Sequence, residues 1–147
     1  MVITISKAAE QAGVGIETIR FYERKGLVEQ PPKPSQGFRH YPTDTVARIR
    51  FIRQAQELGF SLREIEDLLA LQVDASADCA DMNQRARSKL NQIHHKIAQL
   101  QRMQAALEQL ITVCPGSGAL AQCPIVEALN RVGMETPTLP ALERDHA

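Results

Sequence analysis

From Ala86 onward, apolar residues recur in alternating steps of four and three: Leu90, Ile93, Ile97, Leu100, Leu107 and Ile111, with Gln104 as the one polar member and Cys114 closing the series. No Gly or Pro interrupts the chain between Cys79 and Cys114. A stripe this narrow, on an otherwise polar helix, is a coiled-coil seam and not the broader face of a globular core. A lone helix of this kind is unstable in water. A second copy of the chain is the economical partner, so the pattern predicts a homodimer.

The first part of the chain is punctuated differently. Ser6 is a good helix cap and Gly13 a good terminator, which predicts a short helix between them. After Gly13-Val14-Gly15, the run from Ile16 to Lys25 predicts a second helix closed by Gly26. Two short helices joined by a glycine turn predict a helix-turn-helix. Pro31, Pro32 and Pro34 then break helical structure, and Ser35-Gln36-Gly37 is turn chemistry. Phe38-Arg39-His40-Tyr41 alternates like a short strand, giving the outline of a β-wing. Thr43 is placed to cap a third helix, with Val46, Ile49, Ile52 and Ala55 on one face and Gly59 at its end. Ser61-Leu62-Arg63-Glu64 has capping-box spacing and opens a fourth, with Leu62, Ile65, Leu68 and Leu69 on one face. The polar stretch from Asp74 to Asp78 predicts a hinge. The fold class is therefore mainly α: a winged helix-turn-helix DNA-binding domain over 1–73, a long antiparallel coiled-coil dimerisation helix with a metal-binding loop over 74–132, and a flexible C-terminal tail over 133–147.

Composition refines this outline. With 147 residues, 44% hydrophobic and 23% charged, the chain is globular in character. It has no apolar run of membrane-spanning length and no signal-peptide layout, which predicts a cytoplasmic protein without a membrane partner. The net charge of zero hides an asymmetry: residues 1–60 carry nine Lys and Arg against six acidic residues, and the remainder carries the opposite excess. All six aromatics, from Phe21 to Phe60, also lie in the first 60 residues. A basic, aromatic-anchored helix-turn-helix suits nucleic acid. Candidate DNA contacts are Thr18, Arg20, Tyr22, Arg24 and Lys25 on the second helix, Phe38, Arg39 and Tyr41 of the wing, and Arg53 of the third helix.

Three cysteines in a reducing compartment point to metal or thiol chemistry before a disulfide framework. Cys79 and Cys114 share one heptad position, 35 residues apart. On one continuous helix they are about 50 Å apart and cannot meet. In an antiparallel dimer, Cys79 of one chain faces the partner's Cys114. The loop Pro115–Gln122 can fold back to bring Cys123 to Cys114, giving two symmetric sites of three thiolates, each built from both chains. Three thiolates, with no His in the loop or near Cys79, suit a soft ion better than zinc. His40, His94, His95 and His146 take no part in this expectation. A thiol enzyme using Cys114 or Cys123 lacks an evident His/Asp partner, and a coiled-coil adaptor leaves the basic first 60 residues unexplained, so no enzymatic activity is expected.

Ile19-Arg20-Phe21-Tyr22-Glu23-Arg24-Lys25-Gly26-Leu27 resembles the recognition-helix signature of MerR-type transcriptional regulators. Gly37-Phe38-Arg39-His40-Tyr41 and Leu58-Gly59-Phe60-Ser61-Leu62-Arg63-Glu64-Ile65 match the same family, and the resemblance spans roughly residues 3–130. It implies an antiparallel dimer, an effector site at the coil ends, and a promoter with an over-long spacer shared with RNA polymerase. Within the family, Cys79, Cys114 and Cys123 resemble the three thiolates of the mercury-sensing branch. The implied effector is Hg(II), with a Cd(II)-, Pb(II)- or Zn(II)-responsive regulator of the same family as the alternative.

Overall fold

A computed structural model describes residues 2–131, and the expected tail over 133–147 lies outside the described residues. The elements are β1 (Val2–Ile3), α1 (Ile5–Ala12), α2 (Ile16–Arg24), β2 (Tyr41–Pro42), α3 (Thr43–Glu57), α4 (Leu62–Val73), α5 (Cys79–Val113) and α6 (Pro124–Asn130), with a single 3-10 turn at Leu120–Gln122. The chain divides into two compact units, the first running to Arg85 and the second beginning at Ala86.

The first unit is built around α3. Its Val46, Ile49, Ile52 and Ala55 are buried at helical spacing, as the sequence pattern predicts. Ala8, Ala9 and Ala12 bury the face of α1. These side chains are small, which lets α1 and α3 pack closely. Ile19 and Tyr22 bury one side of α2, and Ile65, Leu68 and Leu69 one side of α4. Met82, in the second turn of α5, packs against this core, and Arg85 pairs with Asp67 at 3.7 Å. These contacts tie the start of α5 to the first unit.

Capping residues differ in part from the sequence expectation. The N-cap of α1 is Thr4, whose hydroxyl accepts from the Lys7 amide at 3.3 Å, and Ser6 lies inside the helix. Gly13 ends α1 with φ of 71°, and its amide returns to the carbonyls of Ala9 and Glu10. A side chain there has room but pays for left-handed backbone. Pro42, not Thr43, sits at the cap of α3, because β2 carries extended backbone up to Pro42. Ser61 does form the expected capping box with Glu64, at 3.2 and 2.8 Å. The predicted hinge is an ordered connection: Asp74 accepts from the Ser76 amide and hydroxyl, and Asp78 accepts from the Ala80 amide to start α5.

The wing also differs. Phe38–His40 form no strand. The strand is Tyr41–Pro42, and it pairs antiparallel with the N-terminal Val2–Ile3, placing Ile3 opposite Tyr41 and Val2 opposite Pro42. Two long arginines complete the unit. Arg48 Nε donates to the Leu27 carbonyl after α2, and Arg50 donates through two nitrogens to the Gln11 carbonyl near the end of α1. Helix ends expose carbonyls without partners in their own helix; α3 supplies one to α1 at Gln11 and holds the segment after α2 at Leu27.

In the second unit, α5 continues to Val113, and the predicted seam is visible as exposed apolar surface. Leu90, Ile97, Leu100, Leu107 and Ile111 are each 47–66% exposed. Burying a side chain of this kind is worth about 1.5–3 kcal/mol. The loop after α5 ends in α6, a short helix absent from the sequence expectation. Among the described residues, no helix is long and apolar enough to cross a membrane.

Two measurements check this architecture. Ile52→Ala opens a cavity at a fully buried site of α3 and should cost about 2–5 kcal/mol in denaturant unfolding. The Tyr41 phenol is pushed up to about 12 by burial, then by the hydrogen bond from its hydroxyl to Glu23 and the Glu23 charge. Below the ordinary value of 10.0 the phenol is protonated in both folded and unfolded chains; between 10.0 and about 12 only the unfolded chain ionises. Stability should therefore fall across that interval as pH rises, and Tyr41→Phe should flatten that part of the slope.

Candidate nucleic-acid interface and metal centre

The second helix of the helix-turn-helix has two sides. Ile19 and Tyr22 turn inward, while Arg20, Arg24 and Lys25 are exposed and Thr18 is half-buried. Arg20 pairs with Glu17 at 3.4 Å. Lys25 lies over the Phe21 ring, 5.7 Å from its centroid. The wing adds Phe38, 78% exposed, and Arg39, whose Nε donates to the Pro31 carbonyl at 2.9 Å and fixes the proline segment beside the wing. The charges of Arg39 and Arg20 oppose the rise in the Tyr41 pKa. Arg53 is exposed on α3, pairs with Glu57 at 3.6 Å, and acts on Tyr22.

Two of the sequence candidates occupy a different position from the rest. Tyr22 and Tyr41 are 2% and 1% exposed. The Tyr22 hydroxyl donates to Gln56 Oε1 at 2.6 Å, linking α2 to α3. The Tyr41 hydroxyl donates to Glu23 Oε2 at 2.9 Å, linking the wing to α2. Burial raises the pKa of Tyr22, with Arg53 opposing. Both rings belong to the core, so these residues position α2 and the wing and do not present a free surface. Sequence reasoning missed Arg48, Arg50 and Gln56, whose roles depend on which helix end or hydroxyl α3 meets. Helical spacing places them on α3 but gives no such partner.

The cysteines sit at element ends. Cys79 is the first residue of α5 and is exposed. Cys114 follows the last residue of α5, its amide returning to the carbonyls of Leu110 and Ile111, and is half-buried. Since α5 is one unbroken helix of 35 residues, about 50 Å of helix separates Cys79 from Cys114. Cys123, also half-buried, stands at the N-cap of α6. Gly116 and Gly118, with φ of 78° and 112°, let the loop turn back between them. Cys114 and Cys123 thus flank this loop, just after α5 and just before α6. The amides of Val126 and then Ile125 in the first turn of α6 hold the Cys123 thiol below its ordinary value; exclusion of water opposes them, and Cys114 adds a smaller lowering. A soft donor thus stands at each end of the loop. Among the described residues, no three His, Cys, Asp or Glu side chains of the chain converge into a metal-holding group.

The family profile "MerR HTH family regulatory protein" matches residues 3–72, and "MerR, DNA binding" matches residues 46–110. A mercuric resistance operon regulatory protein of Shigella flexneri is 39% identical over 94% of this chain and 95% of its own length. The crystal structure of the MerR regulator of Bacillus megaterium MB1 in complex with mercury(II) is 39% identical, with a TM-score of 0.63 over 84% of this chain and 95% of that one. The lead(II)-bound transcription regulator of Ralstonia metallidurans CH34 superposes with a TM-score of 0.75 over 86% of this chain and 98% of that one, at 27% identity.

The α6 amides make a specific prediction. In a chain carrying Cys79→Ser and Cys114→Ser, the pH midpoint of Cys123 alkylation should lie below the ordinary thiol value of 9.0, because the dominant amide donors remain. A midpoint at or above that value overturns the account.

Proposed function

This chain belongs to the MerR family of transcriptional regulators, and we propose that it is a homodimeric, cytoplasmic regulator that represses mercury-resistance genes without metal and activates them when Hg(II) binds. The observation that carries this reading is the placement of the thiols. Cys114 and Cys123 flank the short loop after α5, Cys79 lies at the start of α5, and an exposed apolar seam runs between. An antiparallel pair of α5 helices buries the seam and sets the partner's Cys79 beside Cys114 and Cys123. Each dimer then has two three-thiolate sites.

The donor set fits the effector. Thiolates are soft ligands, and the α6 amides favour the charged form of Cys123. Cys114 and Cys123 of one chain and the partner's Cys79 would hold Hg(II), whose bonds to thiolate would tie the start of one α5 to the end of the other. The protein's own residues do the rest. Arg20, Arg24 and Lys25, with Thr18, present the recognition helix to the major groove. Phe38 and Arg39 of the wing and Arg53 of α3 hold the backbone, while Tyr22 and Tyr41 keep α2 and the wing in register. Stiffened coil ends reorient the two DNA-binding units through α4. The dimer needs only to favour bent, untwisted promoter DNA over the relaxed form by differential contacts. RNA polymerase, held at the promoter with its elements out of phase, then finds them aligned.

Two experiments test this. Arg20→Ala should weaken operator binding and reduce its salt dependence while mercury binding persists; loss of mercury binding with normal operator affinity would sink the assignment. The second pairs a Cys79→Ser chain with a Cys114→Ser/Cys123→Ser chain. Neither homodimer has three thiolates per site. In the mixed dimer the double variant's Cys79 meets Cys114 and Cys123 of the single variant, so one tightly held mercury per dimer should return with a thiolate-to-mercury absorption band. A mixed dimer that forms without tight metal overturns the shared site. A metal-panel reporter assay led by Cd(II) or Pb(II) assigns the effector to those ions instead.

A further inference from the structure

We propose that Asp67 and Arg85 are positioning residues of the metal switch: their ion pair fastens the Cys79 end of α5 to α4, and effector capture acts on the DNA-binding unit through it. The inference rests on the reading of Cys79 as an effector ligand and names the joint through which that ligand is felt. Cys79 lies in the same compact unit as α1 to α4, which runs to Arg85. The path from α4 to Cys79 is ordered at each step. The Asp74 amide returns to the Leu71 carbonyl at 3.3 Å, and the Ala77 amide to the Asp74 carbonyl at 3.1 Å. The Asp74 carboxylate accepts from the Ser76 amide and hydroxyl. Asp78 and Asp81 then cap each other around Cys79. The Asp78 amide donates to Asp81 Oδ2 at 2.8 Å, while Asp78 Oδ1 accepts from the Ala80 amide at 2.8 Å and the Asp81 amide at 3.4 Å.

Two side chains seat the first turns of α5. Met82 packs against the core of the unit, and Arg85 Nη1 lies 3.7 Å from Asp67 Oδ2 of α4. Residues three apart on a helix are neighbours on its surface, so Cys79, Met82 and Arg85 form one row. The ligand comes first, the apolar anchor next and the ionic anchor last. Met82 belongs to the packing that holds the unit together; the ion pair differs. Its side chains are 48% and 60% exposed, and an open pair of this kind adds little to stability. Its place is what counts, because a helix tipping about Met82 has to open or close it. A pull on Cys79 toward the partner's thiols tips α5, and Arg85 carries the tilt to Asp67 and α4. A contact made better in one of two states shifts their balance by its differential strength, which for an open pair is about two- to fivefold.

The test uses the full-length dimer on its operator, with Met82 kept in every variant so that the core contact survives. Asp67→Asn keeps the side chain's size and removes its charge. The variant should hold mercury as tightly as the parent and bind the operator normally without metal. Mercury-induced transcription should fall by about two- to fivefold, and so should mercury-induced untwisting of the operator, read by nuclease sensitivity at the promoter centre. Exchanging the charges, Asp67→Arg with Arg85→Asp, should bring induction back. Hydrogen exchange gives a readout that needs no metal: Asp67→Asn should speed amide exchange across residues 82–86 while the α3 amides keep their protection. Full induction by Asp67→Asn overturns the proposal. So does a parallel loss of mercury binding or metal-free operator affinity, or a charge exchange that restores nothing. The two readings fail separately. Parent protein that binds no mercury, with faster exchange in the variant, removes the effector assignment alone. Parent protein that responds to mercury, with unchanged exchange and induction in the variant, removes this one.

Discussion

A 35-residue helix cannot bring its own ends together, and that constraint organises this protein. α5 begins at Cys79 and ends just before Cys114. With 1.5 Å of rise per residue, no rotamer change closes a gap of about 50 Å. The exposed Leu90, Ile97, Leu100, Leu107 and Ile111 lie along the same helix, and leaving that much apolar surface in water is unfavourable. Both facts have one economical resolution, a second α5 running the other way. In the dimer proposed above, effector site and dimerisation surface would lie on one element, so that ligand capture and helix pairing would reinforce each other.

The first unit solves a different problem, holding two short helices in a fixed attitude. Helices as short as α1 and α2 are marginal alone, so their orientation comes from α3. Its apolar face packs against α1, α1 packs against α2, and its arginines reach the Gln11 carbonyl near the end of α1 and the Leu27 carbonyl after α2. Gln56 of α3 takes the Tyr22 hydroxyl, and Glu23 of α2 takes that of Tyr41. Buried polar groups are costly unless paired, and each of these pairs crosses from one element to another. The exposed cations of α2 and the wing are therefore carried on a frame whose polar contacts are already committed elsewhere.

The two thiols after α5 sit in local electrostatic settings. Cys123 gains from the amides at the start of α6, and Cys114 is fixed by the last turn of α5. Neither effect needs the other unit of the chain. In the dimer proposed above, the partner's Cys79 would join these two thiols, which would combine ligand capture with dimer geometry.

Much of this was legible in the residues because it depends on periodicity. The α3 and α4 faces, the Ser61 capping box, the uninterrupted α5 and its seam all follow from spacing along one element, and spacing is what a sequence records. The cysteine register is likewise arithmetic on a helix. What the residues did not disclose depends on which elements meet. Tyr22 and Tyr41 read as DNA contacts because they sit in a basic, aromatic-rich segment; burial against α3 and α2 gives them another role. Val2–Ile3 became a strand only because Tyr41–Pro42 offered it an edge, and two residues carry no alternation to detect. α6 is too short for a period, yet its first-turn amides lower the Cys123 pKa. The sequence by itself determined the helical rod, its stripe and the positions of its thiols, since local hydrogen bonding and patterning suffice for those. Tertiary structure decided which polar side chains are spent inside the frame and which remain free, because a hydroxyl or guanidinium takes the partner that folding brings within reach.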